Sequence, residues 1–386
     1  MKIAHLADLH LGFRAYHRQT PRGINVREAD VADAFRESVA RTVELRPDLV
    51  LVAGDVFHTV RPSNTAIAEA FRQFSVLTDG LPGVPVVVIA GNHDSPRSTD
   101  TGNILALFRE IPGVTVVAEE ARAVLLPQVE TSVLCLPHNA LAVEGEAPVE
   151  MRPDPAARHN VLMLHGTVGG SVAEQKLRYV TEFGGAVVQD TDIGPERWDY
   201  VALGHYHIAT ELAPNMWYAG GIERTSTNLW MEEGPKGFLV YDTDARRADF
   251  HAVRTRAVVD LPRLSAKGLT AAEVDERIRA AVEGIAGGIA GKIVRLVVTD
   301  IVRGTVRELN HRRIREWKAE ALHFHLDARP PEIRRVSASG APVRRQTLGE
   351  QVASYLEKHW QLQAEGLDRA RLVELGTRYV QRAEEA

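Results

Sequence analysis

Seven side chains that commonly bind metals stand at the ends of short apolar runs between residues 8 and 207 of this 386-residue chain. The runs before them are rich in Val, Leu, Ile or Ala, as buried β-strands are. Because the carboxyl ends of parallel strands meet at one edge of a sheet, such side chains can converge although they are far apart in the chain. The seven candidates are Asp8, His10, Asp55, Asn92, His165, His205 and His207.

The order of the predicted elements constrains the fold. Up to about residue 244, short apolar strands alternate with amphipathic helices, and after about residue 114 the elements become mostly strands. Ser63 is a suitable N-cap for the second predicted helix. The main predicted elements are strands at 3–7, 49–53, 84–90, 161–164 and 200–203 and helices at 30–46 and 63–78. Parallel βα units followed by a strand-rich stretch favour an α/β fold, a two-sheet β-sandwich flanked by helices.

The remainder of the chain is predicted to add a small α+β domain and C-terminal helices. The predicted elements of this domain are a helix at 271–283, a strand at 292–298, a helix near 306–319 and a strand at 321–326. The stretch after it is rich in Pro, Ser, Gly and Arg, which is typical of a linker. The terminal amphipathic helices either dock on a partner or pack back on the chain. The expected divisions are 1–258, 259–329, 330–346 and 347–386.

Composition excludes several classes of protein. A net charge of −5 predicts no bulk affinity for nucleic acid, so any DNA contact must come from local basic stripes, metals or a partner. Cys135 is the single cysteine, which excludes a disulfide framework and a cysteine-rich zinc site. The first predicted strand follows Met1 and Lys2 directly, so we expect no signal peptide, and no apolar run approaches the ~20 residues of a transmembrane helix. We expect a cytoplasmic protein that does not enter a membrane.

Carboxylate, amide and imidazole ligands in this number suit a two-metal hydrolytic centre. Asp55 follows Gly54, whose missing Cβ permits a tight turn near a ligand, and its carboxylate is the expected bridge between two cations. Asp8 and His10 would point to the same side of an extended strand. Two ions ~3.5–4 Å apart would activate a shared water for attack on a phosphate ester. We assign one metal to Asp8, His10, Asp55 and His207 and the other to Asp55, Asn92, His165 and His205.

The ligand chemistry indicates which metals bind, and two further histidines are expected near the centre. Mixed nitrogen and oxygen ligands favour two manganese ions, with iron or zinc as substitutes. His93 is left over from the ligand count and stands beside Asn92. We expect His93 to protonate the leaving oxygen or stabilise its charge, with Asp94 orienting its ring. His138 follows another predicted strand and is expected at the edge of the cleft without being a ligand.

Five motifs hold these residues: Asp8-Leu9-His10, Gly54-Asp55, Gly91-Asn92-His93-Asp94, His165 and Gly204-His205-Tyr206-His207. As an ordered set they resemble the five motifs of the calcineurin-like metallophosphoesterases, over roughly the first 245 residues. Two details are similar to the DNA-repair nuclease branch of that superfamily, the SbcD and meiotic-recombination nucleases. One is His58, three residues after Asp55, and the other is Asp94, where many phosphatases carry Glu.

Membership of that branch would imply a dimeric, manganese-dependent exonuclease and endonuclease that acts on DNA ends, hairpins and single strands in double-strand-break repair. It would also imply a DNA-capping domain and C-terminal helices that dock on the coiled coil of an SMC-like ABC ATPase of the SbcC type. The resemblance makes His93 the catalytic histidine and His58 a second one that places the scissile phosphate. The other interpretation of His58 is a histidine at the start of a helix, packed on Phe57.

Two basic stretches are candidate DNA contacts. The predicted loop after the first ligand pair could track a phosphate backbone and stack on a base, or it could be a solvated basic loop. One helix face of the predicted cap either contacts phosphates or forms salt bridges with nearby glutamates. The candidates are Arg14, Tyr16 and Arg18 in the loop and Arg307, Arg312 and Arg315 in the cap. His323 and His325 alternate on a strand without a third ligand, and we expect ordinary half-exposed residues there.

The sequence therefore favours a metal-dependent phosphodiesterase that acts on DNA. Two alternatives stay open: a small-molecule phosphodiesterase or phosphatase of the same fold, and a non-catalytic subunit that binds DNA ends or an ATPase. The cap and the terminal helices argue against the first alternative, because a free-standing enzyme for small substrates needs no docking tail. The complete ligand set together with His93 argues against the second.

Overall fold

The described residues form two six-stranded sheets, a three-stranded sheet and a short two-stranded one. The computed structural model of the protein describes residues 1–96, 102–141, 149–170 and 186–331 and the short pieces 354–355, 371–373 and 375–376. Nearly all of the predicted linker at 330–346 and of the predicted helices at 347–386 lies outside the described residues. Within the described ranges, every helix is too short or too polar to traverse a lipid bilayer.

The elements follow one another in the order that the apolar runs predict. The strands are β1 (Lys2–Leu6), β2 (Leu49–Ala53), β3 (Val86–Ile89), β4 (Val114–Val117), β5 (Arg122–Leu126), β6 (Thr131–Leu136), β7 (His159–His165), β8 (Thr167–Gly169), β9 (Val187–Gln189), β10 (Tyr200–Gly204), β11 (Thr210–Ala213), β12 (Met216–Tyr218), β13 (Gly237–Asp242), β14 (Arg247–Ala252), β15 (Val258–Ser265), β16 (Ile293–Thr299) and β17 (His323–Ala328). Among the residues that the structure describes, the main helices are α1 (Val26–Leu45), α2 (Asn64–Gly80), α3 (His138–Leu141), α4 (Asp190–Ile193), α5 (Ala271–Glu283), α6 (Arg303–Glu308) and α7 (His311–Glu320). Short 3₁₀ helices lie at Ile104–Glu110, Pro127–Val129, Pro195–Arg197 and Leu229–Met231.

The first sheet brings the ends of three ligand-bearing strands to one edge. Its order is β14-β13-β1-β2-β3-β4, with β1 to β4 parallel and β13 antiparallel to both of its neighbours. The helices α1 and α2 make the crossovers, and the Ser63 side chain caps α2 as predicted. Successive residues of β2 face opposite ways: Val50 and Val52 pack against the helices, whereas Leu51 faces the second sheet.

The second sheet packs against the free face of the first and completes the sandwich. Its order is β11-β12-β10-β7-β6-β5, with a parallel centre and antiparallel strands at both edges. The shared core contains Val133, Val161, Met163 and Tyr200 from this sheet, all fully buried. The predicted α/β architecture of two sheets packed face to face with helices outside is confirmed.

The region after residue 258 has a sheet and a hydrophobic cluster of its own. The sheet is β15-β16-β17, all parallel, and Val274 and Ile278 of α5 pack on it together with Trp317 of α7. The prediction of one helix near 306–319 is wrong, because the helix is interrupted between α6 and α7. The Asn310 side chain accepts a hydrogen bond from the backbone N–H of Arg313 and so begins a new helix.

A glycine controls how closely the two sheets approach below the ligands. A Cβ on Gly204, the last residue of β10, would overlap the carbonyl oxygen of Ala53 at the end of β2. Gly204→Ala therefore pushes the two strand ends apart, and overpacking of a core costs typically about 1–3 kcal/mol. We expect urea unfolding to show a fall of about 3 kcal/mol in the free energy of unfolding.

The matched control for this substitution is Gly304→Ala, because nothing lies within 4 Å of a Cβ built on Gly304. We expect the control to be at least as stable as the parent protein, since alanine favours the helix in which Gly304 lies. Equal stability of Gly204→Ala and the control would contradict the close approach of β2 and β10.

Candidate metal centre

Two segments leave β1 and β2 side by side and stay hydrogen-bonded beyond the sheet. The N–H of Asp8 donates to the carbonyl of Gly54 at 3.1 Å, and the N–H of His10 donates to the carbonyl of Asp55 at 2.9 Å. Further on, the N–H of His58 donates to the carbonyl of Leu11 at 3.1 Å. Ligands from both strands are therefore carried on one backbone-paired unit.

The backbone has a positive φ at four of the candidate ligands, among them His205 with 111°. The φ angles of Asp8, His10 and Asp55 are 51°, 47° and 53°. Asp8 and His10 come to the same side as expected, but the extended geometry given as the reason is wrong, since both residues are left-handed. Such conformations cost of order 1–3 kcal/mol each, and they persist at sites where the surrounding structure enforces them.

Two glycines leave room for the ligand side chains. A Cβ on Gly54, which has φ 87°, would overlap the imidazole of His165. A Cβ on Gly91 would overlap the carboxylate of Asp55. The glycines before Asp55 and Asn92 are therefore required by the close approach of side chains from neighbouring strands.

The first predicted ligand set is brought together. Ligand atoms of Asp8, His10 and His207 all lie within 4.8 Å of one another, and the three side chains are buried. The Nε2 atoms of His10 and His207 are 3.0 Å apart. Two imidazole nitrogens that face each other beside a carboxylate form a set that suits a divalent cation.

The second predicted set lies on the other side of Asp55. The Oδ1 atom of Asn92 is 3.0 Å from His165 Nε2 and 3.2 Å from His205 Nδ1. The Nδ1 atom of His165 donates to the carbonyl of Ala53 at 2.8 Å, which turns Nε2 toward the other ligands. These three side chains thus converge from β3, β7 and β10.

Asp55 stands between the two sets. Its Oδ2 atom is 3.7 Å from His10 Nε2 and 3.3 Å from His165 Nε2. Its Oδ1 atom accepts a hydrogen bond from the backbone N–H of His93 at 2.9 Å. Contacts among the described residues therefore link all seven candidates, and Asp55 has the placement that a bridging ligand requires.

The local electrostatics shift the pKa values of these ligands in different directions. Burial by itself would raise the pKa of the Asp55 carboxyl, but His165 and His10 hold that pKa well below its usual range. Burial and the neighbouring His165 lower the pKa of His205 to about 3. His165 differs, because Asp55 raises its pKa to about 9 against the effect of burial. A cation bound there has to displace a proton from His165.

His58 and His93 lie against the first ligand set. The His58 and His93 rings stack with centroids 5.2 Å apart, and the His93 ring meets the His10 ring edge-on at 4.8 Å. His58 is not at a helix start, since α2 begins only at Asn64 and the preceding Phe57 forms a β-bridge with Leu11. The structure therefore places both histidines at the centre.

The orientation of His93 has a different cause from the one expected. Its Nδ1 atom lies 2.8 Å from the carbonyl oxygen of His58 and donates to it. The buried Asp94 carboxylate instead accepts from the backbone N–H groups of Val56, Phe57 and Gly91 at 3.0, 2.8 and 3.1 Å. The prediction that Asp94 orients the His93 ring is corrected accordingly: its hydrogen bonds tie together the two turns that carry Asp55 and Asn92.

The loop after His10 packs on the cap region. The Tyr16 ring stacks on His323 with centroids 4.1 Å apart, so His323 has a definite partner. Arg18 donates to the carbonyls of Lys318 and Ala319 at the end of α7. Tyr16 and Arg18 therefore contact the cap, although Arg18 stays exposed, while Arg14 forms an ion pair with Glu28 at 2.7 Å.

The basic residues of the cap lie on exposed helix faces. Arg312 pairs with Glu316 of the same helix at 3.2 Å, as the surface-helix alternative expects. Arg307 and Arg315 are exposed, and no ion pair of theirs occurs among the described residues. His138 lies beside the centre as expected, and burial together with His165 lowers its pKa to about 4.

Sequence reasoning missed the residues on the far side of His207. Glu232 Oε1 and Thr225 Oγ1 each lie 3.5 Å from His207 Nδ1. Lys236 Nζ donates to the His207 carbonyl at 2.6 Å and also contacts Glu232. In the sequence, Glu232 and Lys236 look like an ordinary exposed pair in a polar stretch, so no local signal marks them.

Comparisons with known proteins agree with the motif pattern. Three archaeal relatives bear the name DNA double-strand break repair protein Mre11. The relative from Methanococcus maripaludis is 26% identical over 211 residues, 54% of this chain and 52% of its own. The relative from Thermoplasma acidophilum is 26% identical over 266 residues, 66% of this chain and 65% of its own. The relative from Methanocaldococcus jannaschii is 34% identical over 110 residues, 28% of each chain.

The matched stretches thus cover less than two thirds of each of these relatives. The family description that matches this chain is calcineurin-like phosphoesterase, over residues 1–209. That match covers more than half of the 386 residues and contains all seven candidate ligands, His58 and His93. The chain therefore belongs to the calcineurin-like phosphoesterase family.

Proposed function

We propose that this protein is a manganese-dependent DNA nuclease, both exonuclease and endonuclease, that processes DNA ends in double-strand-break repair. The observation that carries the proposal is the convergence of two ligand sets on Asp55, with His58 and His93 stacked beside them. The names of the three archaeal relatives support DNA as the substrate.

The ligand sets would hold two divalent cations. The first set would be Asp8, His10, Asp55 and His207, and the second Asp55, Asn92, His165 and His205. When bound, the cations would supply Lewis-acid activation of a water and would neutralise charge on the phosphate oxygens. The neutral Asn92 amide limits the negative charge of the centre, and the absence of sulfur among the ligands suits manganese, with iron or zinc as substitutes.

The two stacked histidines would act on the phosphate and the leaving group. His93 keeps its Nδ1 proton on the His58 carbonyl, so Nε2 is the atom through which a proton would pass to the leaving oxygen. His58, next to His10, would contact a phosphate oxygen. Asp94 would be a positioning residue, because its carboxylate holds the turns of Asp55 and Asn92 through three backbone N–H groups.

The cap would extend the DNA-binding surface from the centre. The contacts of Tyr16 and Arg18 bring α7 beside the loop that begins at His10. The exposed Arg307, Arg312 and Arg315 would then contact backbone phosphates, and Arg14 would contribute from the loop. We expect these contacts to make binding strongly dependent on salt concentration.

The wider organisation is part of the same proposal. Residues 1–258 would be the nuclease domain, 259–329 the cap and 330–346 a linker to the helices at 347–386. Those helices would dock on an SMC-like ABC ATPase, and two copies of the chain would form a homodimer. The protein would work in the cytoplasm at the nucleoid.

One set of assays separates this proposal from its alternatives. Purified full-length protein is incubated with linear duplex DNA, a chromogenic phosphodiester or nucleoside monophosphates, with manganese or with a chelator. Manganese-dependent loss of DNA ends supports the nuclease. Cleavage of the small esters alone would establish a small-molecule phosphodiesterase. No activity on any substrate, even with the ATPase added, would indicate a non-catalytic subunit.

The bridging role of Asp55 predicts a loss of both metals. Asp55→Ala removes the carboxylate that lies between His10 and His165, so neither ligand set stays complete. We expect the manganese content after dialysis, measured by atomic absorption, to fall from two ions to fewer than one per chain, with loss of activity. The control is Asp33→Ala, because the Asp33 side chain is 64% exposed and pairs with Arg36. Retention of two ions by Asp55→Ala would contradict the bridge.

The role of His93 predicts a defect in catalysis with intact binding. His93→Ala should lower kcat on duplex DNA by about 100-fold or more, which is the usual contribution of a general acid. Manganese stoichiometry from calorimetry and DNA affinity from fluorescence anisotropy should stay within about twofold of the parent protein. His159→Ala, at the other end of β7 from His165, serves as the control. Loss of metal from His93→Ala would make His93 a ligand and remove it from the catalytic role.

A further inference from the structure

A buried ion pair lies behind His207. The Glu232 and Lys236 residues are 1% and 2% exposed, and their charged groups contact each other directly. Removing two charges from water is expensive, and well-packed apolar residues often give equal or greater stability than a buried pair. Stability alone therefore does not account for the pair, and its contacts with His207 suggest another role.

The pair holds His207 at two points. The Lys236 ammonium donates to the backbone carbonyl of His207 at 2.6 Å, while the Glu232 carboxylate lies 3.5 Å from the ring at Nδ1. Glu232 is itself fixed, because its Oε1 atom accepts from the backbone N–H of Ser226 at 2.8 Å. Neither the backbone nor the ring of His207 can rotate without breaking a contact to the pair.

This arrangement selects one tautomer of His207. A carboxylate beside Nδ1 favours the form in which Nδ1 carries the proton. The Nε2 lone pair is then directed to the side where His10 and Asp8 lie, since the two Nε2 atoms of His10 and His207 face each other at 3.0 Å. An Nδ1 proton acceptor behind the ring is what a histidine needs to bind a cation through Nε2.

We propose that Glu232, held in place by Lys236, is a positioning residue that fixes the tautomer and orientation of His207 for the first metal. The inference deepens the proposed function and rests on its metal centre. Glu232 and Lys236 lie beyond the 1–209 stretch that matches the family, so that match gives them no role.

The substitution Glu232→Gln tests the proposal with little change of shape. In the parent protein, one Glu232 oxygen accepts a hydrogen bond from Lys236 and the other accepts one from the backbone N–H of Ser226. Whichever oxygen is replaced, the amide NH₂ group therefore faces one of these two donors. The NH₂ group avoids the ammonium and therefore comes to lie beside His207 Nδ1. There it donates, and the imidazole proton moves to Nε2, where it blocks the metal.

Two measurements on the full chain report the effect. Calorimetric titration with manganese alone should show one of the two sites weakened by about 10- to 100-fold, the usual effect of losing a partner of a metal-ligating histidine. Long-range ¹H–¹⁵N spectra of the metal-free protein should show the His207 signals change from the Nδ1-protonated to the Nε2-protonated pattern. A merely structural role for Glu232 would move neither readout.

The chain offers a matched control for the buried charge. Glu223 is also 1% exposed and pairs with the buried Arg27 at 3.4 Å, but it forms no hydrogen bond or ion pair with a candidate ligand among the described residues. Glu223→Gln should lower stability with unchanged manganese affinities. The positioning role is overturned if Glu232→Gln binds both ions as tightly as Glu223→Gln does. Failure of the parent protein to bind manganese would instead overturn the metal centre itself.

A second variant covers the case in which Glu232→Gln does not fold. The double substitution Glu232→Leu with Lys236→Met replaces the pair by apolar side chains of similar volume, an exchange that is often neutral for stability. We expect this protein to fold and to show the same weakening of one manganese site. Parent-like affinity at both sites would overturn the proposal.

Discussion

The structure depends on the left-handed backbone at Asp8, His10 and Asp55, immediately after two neighbouring parallel strands. Asp and His adopt that conformation more often than most non-glycine residues, and the remaining strain is tolerated because hydrogen bonds join the two segments from Asp8 to Leu11 and from Gly54 to His58. Apart from the exposed Lys2, the strands behind them are buried, so the segments cannot relax by sliding. The turns direct both carboxylates and one imidazole to a single position, which an extended chain would not do.

The second constraint is the contact between the two sheets. His165 and His205 come from the second sheet, and they reach the ligands of the first only because Gly54 and Gly204 let the strand ends approach. The hydrogen bond from His165 to the Ala53 carbonyl crosses the same boundary. The geometry of the metal centre therefore depends on the packing of the sandwich core, because a change that separates the sheets also separates the ligands.

Much of the fold and of the candidate site was predictable from the sequence, because the ligands follow apolar runs and such runs indicate buried strands. Contacts that depend on distant packing were not predictable. Nothing near Glu232 or Lys236 indicates that the pair is buried behind His207, and nothing near Tyr16 indicates stacking on His323. The strand β15 was missed since its burial alternates irregularly, so the segment looks polar. The break before α7 did have a local signal, the capping Asn310, which the helical periodicity on both sides concealed.

The first ligand set is connected to the cap from two directions. His10 is followed by the loop whose Tyr16 and Arg18 contact His323 and the end of α7. His207 is held by Glu232, and the adjacent Leu229 and Trp230 pack with Ile293 and Leu322 of the cap region, where Arg295 lies over the Trp230 ring at 4.6 Å. Both series of contacts run through closely packed side chains, so the cap and the first ligand set have little room to move independently. A displacement of the cap would therefore affect His10 and His207 more directly than His165 and His205, which are hydrogen-bonded to Ala53, Asn92 and Asp8.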